Sequence, residues 1–333
     1  MTVPETIAAS SASRTTRAVL LATVKGNQTV AFFDEGTGER IAAPVVGTPD
    51  AKPHEIALSA DGSRAFVSLY GTAGYPDNVP ANKVAVVDVR AMALETTIDL
   101  DLYTGPHGLA RDATGRIWAT AENNRCLIAI DPETLGVTRA IYTEAPAHFL
   151  FPSRDRRTLY SAHKEVPFIG VHDAPMGRMV DRIPLDLGSQ ALWHAPDCAR
   201  LYVGDFNRPL FHVVDTVSRR VTHSVPLKGV PGWPYATPDG KHIVVSTYIE
   251  AEDRGFAEIF DAATFAPISR VGLPAEPFHV LDGDDGGQSV LIVVGDGRLV
   301  RMAIATGTLA NVQYDTGAPM PEQVVRVHLP IAD

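Results

Sequence analysis

A short apolar strand ending in aspartate recurs along this chain at a spacing that few architectures share. VAFFD ends at Asp34, VAVVD at Asp88, LIAID at Asp131, IGVHD at Asp173, FHVVD at Asp215 and AEIFD at Asp261. RMAIA, with Ala305 in the aspartate's place, reads as a seventh copy. Successive copies lie 54, 43, 42, 42, 46 and 44 residues apart. A period of about 40–45 residues is the length of one four-stranded propeller blade. Each aspartate leads into a turn-like stretch such as PETLG or TVSRR. Its carboxylate is suited to accept a hydrogen bond from a backbone N–H two residues on.

A second strand precedes each of these: RAFVSL, RIWATA, TLYSAH, RLYVGD, HIVVST, VLIVVG and, near the start, AVLLATV. Before that comes a Pro- or Gly-flanked segment such as KPHEIALSADG, GPHGLARDATG or VPGWPYATPDG. The seventh blade needs both ends of the chain. PEQVVRVHLP supplies an innermost strand, and AVLLATV, QTVAFFD and ERIAAPV supply the other three. Pairing them removes sheet edges that would otherwise be exposed. The expected fold is all-β: a seven-bladed β-propeller of four-stranded blades, the last closed by N- and C-terminal strands. It forms a single domain over residues 16–333, after a Ser/Thr/Ala-rich tail, residues 1–15, expected to be disordered.

Composition narrows the partners. The net charge of −10 argues against nucleic-acid binding, which needs a basic face. No run of about 18 apolar residues suits a membrane helix. The N-terminus lacks a charged segment followed by an apolar one, so no signal peptide is read. Cys126 and Cys198 form no disulfide framework or zinc motif, which fits free thiols and a cytoplasmic setting. The oligomeric state is not legible.

The chemistry concentrates at one place in the repeat. Aligning the blades on the Asp-Gly turn after the first strand, the residue seven places earlier is His54, His107, His148, Gln190, Gly232, His279 and, in the composite blade, Glu322. These positions open the innermost strands and so ring the mouth of the central channel. Chance would put about 0.2 of the 11 histidines in seven positions of 333; this alignment holds four. Four imidazoles facing one channel suit a transition metal, Fe or Cu, with Mn, Zn or Mg as further options. Fifteen residues beyond the channel positions stand Glu122, His163 and Asp205. Glu122 and Asp205, with Gln190, are expected to orient the metal-binding histidines by accepting their other N–H. Glu322 and His163 are the candidate proton carriers, with a fifth metal ligand and an acceptor for a ligating histidine as equal alternatives for Glu322. The long segment 70–83 opens on the same face. Tyr70, Tyr75, Tyr248 and Trp233 are expected to line a substrate vestibule. His172, His212 and His194 read as structural.

The form P-x-x-x-A-x-x-x-D-G, as in KPHEIALSADG, resembles the first strand of YVTN-type propeller repeats and of the related virginiamycin B lyase repeats, and GPHGLARDATGRIWATAENN resembles one blade of the latter. The latter resemblance implies a Mg²⁺-dependent elimination, with His107 and Glu122, or Glu276 and His279, as the acting pair. In site architecture alone the chain resembles carotenoid cleavage oxygenases, which hold Fe(II) with four axial histidines and outlying carboxylates. Copper-dependent methanethiol oxidases of the selenium-binding type are similar in kind. The leading expectation is therefore a metalloenzyme oxidising a small organic substrate, with O2 as candidate co-substrate. A metal-dependent lyase is the alternative, followed by a non-catalytic ligand- or protein-binding propeller. No nucleophile elbow or dinucleotide fingerprint is present.

Overall fold

The computed structural model describes residues 16–76 and 79–330. The expected N-terminal tail lies outside these residues. Seven four-stranded antiparallel sheets form a seven-bladed β-propeller. The composite blade runs outward from Pro321–Pro330 to Thr16–Val24, Thr29–Asp34 and Arg40–Ala42. Its two innermost strands pair from Thr16↔Pro330 to Val24↔Pro321. The other six blades start from Pro53–Leu58, Pro106–Arg111, Leu150–Pro152, Ser189–His194, Val230–Ala236 and Pro277–Asp282. No helix among the described residues is long and apolar enough to cross a membrane.

The repeated aspartates close tight turns. Asp34, Asp88, Asp173 and Asp215 each accept the backbone N–H three residues on, at 2.6–2.9 Å. The bond thus spans one residue more than expected. Asp131 and Asp261 take the N–H groups both two and three residues on. The seventh equivalent is Ala303, not Ala305. Gly307 N–H returns to Ala303 O as Leu135 N–H does to Asp131 O.

The core is not central. Apolar side chains alternate along the strands and pack blade against blade. Phe66, Val84 and Val86 of one blade meet Ile117, Ala119 and Ile128 of the next. A Phe buried this way contributes about 1.5–3 kcal/mol. Trp118, fully buried in the next seam, donates its indole N–H to Asp112 at 2.9 Å. Because the seams carry most of the hydrophobic burial, one end of the axis is free to hold a cluster of polar residues.

One irregularity aims those residues. In six blades the innermost strand carries a one-residue bulge at the same place, beginning at Pro53, Pro106, Ser189, Pro231, Pro277 and Pro321. A bulge breaks the two-residue alternation of a strand. Consecutive residues, such as His54 and Glu55, therefore both reach the axis. Second-strand hydroxyls stitch the bulges together. Ser68 Oγ accepts Glu55 N–H at 3.0 Å and donates to His107 O of the next blade at 2.7 Å. Thr120 accepts His107 N–H, Ser246 bridges Trp233 to Phe278, and Thr23 donates to His54 O.

Candidate functional site

The residues that open the innermost strands surround a cavity of about 390 Å³ at one mouth of the channel. Strand register fixes two successive rings. The upper ring is His54, His107, His148, Gln190, Gly232, Phe278 and Glu322, all on the cavity wall. One residue deeper come Glu55, Phe149, Trp233 and His279. His279 therefore stands one step below the place assigned to it from sequence, and Phe278 takes that place. The irregular DGDDGG turn of its blade displaced the alignment by one residue.

Three imidazoles form a contiguous row. Ring centroids are 4.0 Å apart for His54 and His107, and 3.7 Å for His107 and His148. His279 packs instead on Trp233 at 4.4 Å. Burial holds the imidazoles of His54, His107 and His148 well below their usual pKa, aided by neighbouring cationic groups, and takes His279 down to about 3. All four are neutral near pH 7, the form that ligates metal. The Nδ1 atoms of His54, His107 and His279 are buried without a hydrogen-bond partner.

The four histidines do not converge as a set. Among the described residues, the group whose ligand atoms lie within 4.8 Å of one another is His54, Glu55 and His107. His148 is turned by another contact: its Nδ1 lies 3.0 Å from Glu122 Oε1. Tyr70 donates to the other oxygen of Glu122. Burial pushes the Glu122 carboxyl up to about 7, partly opposed by the Tyr70 bond. Glu122 thus serves a histidine of the neighbouring blade.

The remaining residues of the expected outer ring face elsewhere. His163 Nδ1 contacts Pro146 O at 2.7 Å, and its Nε2 contacts Ser161 Oγ at 2.9 Å. Both nitrogens are occupied away from the cavity, which removes the geometric basis for His163 as a proton carrier. Asp205 is held by Arg208 and His212, at 2.7 and 3.2 Å, and does not orient a channel histidine. The reason is register. The hairpin leading to Glu122 is one residue shorter than those leading to Tyr70, Phe206 and Tyr248, so a constant count of 15 lands one residue short in those blades. Alternation then turns His163 and Asp205 away from the axis. The actual third ring includes Lys25, Tyr70, Glu122, Lys164, Phe206 and Tyr248.

Lys25, Tyr70 and Lys164 of that ring line the cavity. Lys25 pairs with Glu322 at 2.5 Å. Burial lowers the Lys164 ammonium to about 8, and its Nζ lies 5.0 Å from the Phe206 ring. Burial raises Glu55 to about 8, with Glu322 adding repulsion, and raises Glu276 and Glu322 as well. Gln190 lines the cavity with Oε1 unpartnered. Of the expected vestibule, Tyr70 is on the wall and Trp233 at the floor. Tyr75 donates its backbone N–H to the Tyr70 hydroxyl and is not on the cavity wall, and Tyr248 donates to Asp253 outside the cavity. Sequence reasoning missed Lys25, Glu55, Phe149 and Lys164. Each follows from the first- and second-strand alignments once shifted by one residue.

No protein-family model matches the sequence, and no curated protein does. Solved structures match in fold. A candidate 6-phosphogluconolactonase of Bacteroides fragilis superposes with a TM-score of 0.74 at 16% identity, covering 96% of this chain and 100% of its own. Hydrazine synthase of Kuenenia stuttgartiensis gives 0.66 at 19% identity and 78% of each chain. The dihydro-heme d1 dehydrogenase NirN gives 0.63 at 14% identity, covering 92% of this chain and 74% of its own. Identities this low speak to the fold alone.

Proposed function

We propose that the axial cavity is a transition-metal site, Fe or Cu, and that the protein oxidises a small organic substrate there. The observation that carries this reading is the convergence of His54, Glu55 and His107 within 4.8 Å. Two neutral imidazoles with unpartnered buried Nδ1 atoms stand beside the buried Glu55 carboxyl, which would release its proton on taking a cation. Two histidines and one carboxylate with open positions favour Fe(II) over Cu. A metal bound there would supply one-electron chemistry and Lewis acidity.

The chain's own groups divide the remaining work. His54, Glu55 and His107 would hold the ion, and the bulge sets the first two side by side. When ionised, Glu122 holds His148 with Nδ1 protonated, leaving Nε2 free to accept a hydrogen bond from substrate. Tyr70, Glu122 and His148 form a hydrogen-bonded chain. Its central carboxyl has a pKa near 7, suited to taking and returning a proton at neutral pH. Phe149 and Trp233 close the floor against water. Lys25 neutralises Glu322.

A second reading has its own support. Glu55, Glu276 and Glu322 all line the cavity, which is more oxygen than the sequence alone suggested. Oxygen donors suit Mg²⁺ and a lyase in which Glu276 and His279 act on substrate. Elemental analysis of protein purified without metal affinity tags separates the readings. Stoichiometric Fe or Cu, lost in both His107→Ala and Glu55→Gln with the circular-dichroism spectrum retained, supports the first. Mg²⁺-dependent turnover without tightly held transition metal supports the second. Neither result leaves a non-catalytic ligand-binding propeller.

A further inference from the structure

The axis carries a second cavity. At the opposite end of the innermost strands, about 670 Å³ opens among Leu58, Leu150, Phe151, Trp193, Val325 and Leu329. Small-molecule sites occupy roughly 300–1,000 Å³. It shares Glu55, Phe149 and Trp233 with the histidine cavity. Phe149 and Trp233, with ring centroids 5.3 Å apart, form the partition between the two. The walls are apolar and aromatic: Phe151 packs on Trp193 at 4.9 Å, and Trp193 on Trp233 at 6.1 Å.

Cationic residues outnumber acidic ones on its wall. Arg90, Arg111, Arg156 and Arg326 line it, against the carboxylates Glu55 and Asp61. Arg326 is already neutralised by Glu35 and Asp282. Asp61 Oδ1 is taken by Ser59 and Ser63. Arg111 and Arg156 have no carboxylate partner among the described residues. Arg156 Nη1 donates to the Arg111 backbone carbonyl at 3.2 Å, which anchors its guanidinium beside the neighbouring blade's strand. Burial and the neighbouring Arg111 both lower the Arg156 pKa, as expected of two cations lacking an anion. Two arginines on one cavity wall without a carboxylate favour a carboxylate or another oxyanion as ligand.

We infer that this funnel is a binding site for a small soluble amphipathic anion. Its acid group lies between Arg111 and Arg156, and its apolar body lies against Phe151 and Trp193. The site is separate from the metal reading and does not depend on it.

The test is a fluorescence titration with 1-anilinonaphthalene-8-sulfonate, read also by energy transfer from tryptophan. N-phenyl-1-naphthylamine serves as the uncharged counterpart. The full chain binds the sulfonate saturably. Arg111→Gln/Arg156→Gln weakens the sulfonate by about tenfold or more, while the uncharged dye changes little. Lys164→Gln, in the other cavity, leaves sulfonate binding intact. On the wild-type protein, dodecanoate displaces the dye and dodecylammonium does not, a readout that survives should the double variant fail to fold. Absence of saturable binding overturns the inference, as does equal displacement by dodecylammonium. So does sulfonate binding that is lost in Lys164→Gln but kept in the arginine variant. A concentration-dependent dimer that the arginine variant dissociates would place a second copy in the funnel and overturn it too.

Discussion

Replacing Glu122 by Gln keeps the shape of the Tyr70–Glu122–His148 chain and removes its titrating proton. Glu122 is fully buried, and burial raises its carboxyl from 4.5 to about 7. Below pH 4.5 folded and unfolded chains both hold the proton. Between 4.5 and about 7 only the folded chain holds it, so stability falls as pH rises through that window and levels off above it. At about 1.4 kcal/mol per pH unit, the window is worth roughly 3 kcal/mol. Glu55, Glu276 and Glu322, also raised, add their own decline equally to both proteins. Urea unfolding of chelator-treated protein from pH 4.5 to 8 should show the wild type losing about 3 kcal/mol more than Glu122→Gln. Parallel stability curves would refute the burial argument, because Glu122 would then titrate alike in both states.

Thr120→Val is nearly isosteric and strands a single donor. Gly108 N–H keeps His148 O at 3.1 Å, whereas His107 N–H loses Thr120. The cost should be about 1–3 kcal/mol in the urea midpoint. Lys25→Met leaves the buried Glu322 carboxylate unpaired. It should destabilise by about 3 kcal/mol at pH 8 and by less at pH 5, where Glu322 can take up a proton. Asp205→Asn weakens the bonds from Arg208 and His212 and should cost about 1.5–3 kcal/mol in thermal unfolding. Metal content measured on the same samples should not change, in contrast to Glu55→Gln.

The blade count and the composite closure were legible because apolar alternation and turn aspartates repeat with each blade. The histidine row was legible for the same reason at His54, His107 and His148, whose strands reach their turns after equal lengths. Where a hairpin gains or loses a residue, counting fails. His279 slid by one, and His163 and Asp205 were placed on the face opposite their true one. Glu55 was hidden for a different reason: strict alternation puts it on the far side of His54, and only the bulge brings both to the axis. The signal that could have warned of this was the hydroxyl in the second strand, present as Thr23, Ser68, Thr120 and Ser246. These hydroxyls satisfy the backbone groups that the bulges leave unpaired or reach across to the next blade.

Joining Pro321–Pro330 to Thr16–Val24 does more than seal a sheet. Glu322 lies in the first of these strands and Lys25 directly follows the second, so the cavity wall is completed by residues nearly 300 positions apart in sequence. A nascent chain with six blades made still has a gap in this wall. Whatever ion or substrate the cavity takes, capture with the full set of groups must wait for ring closure, which makes ligand binding a direct report of whether the two ends have met.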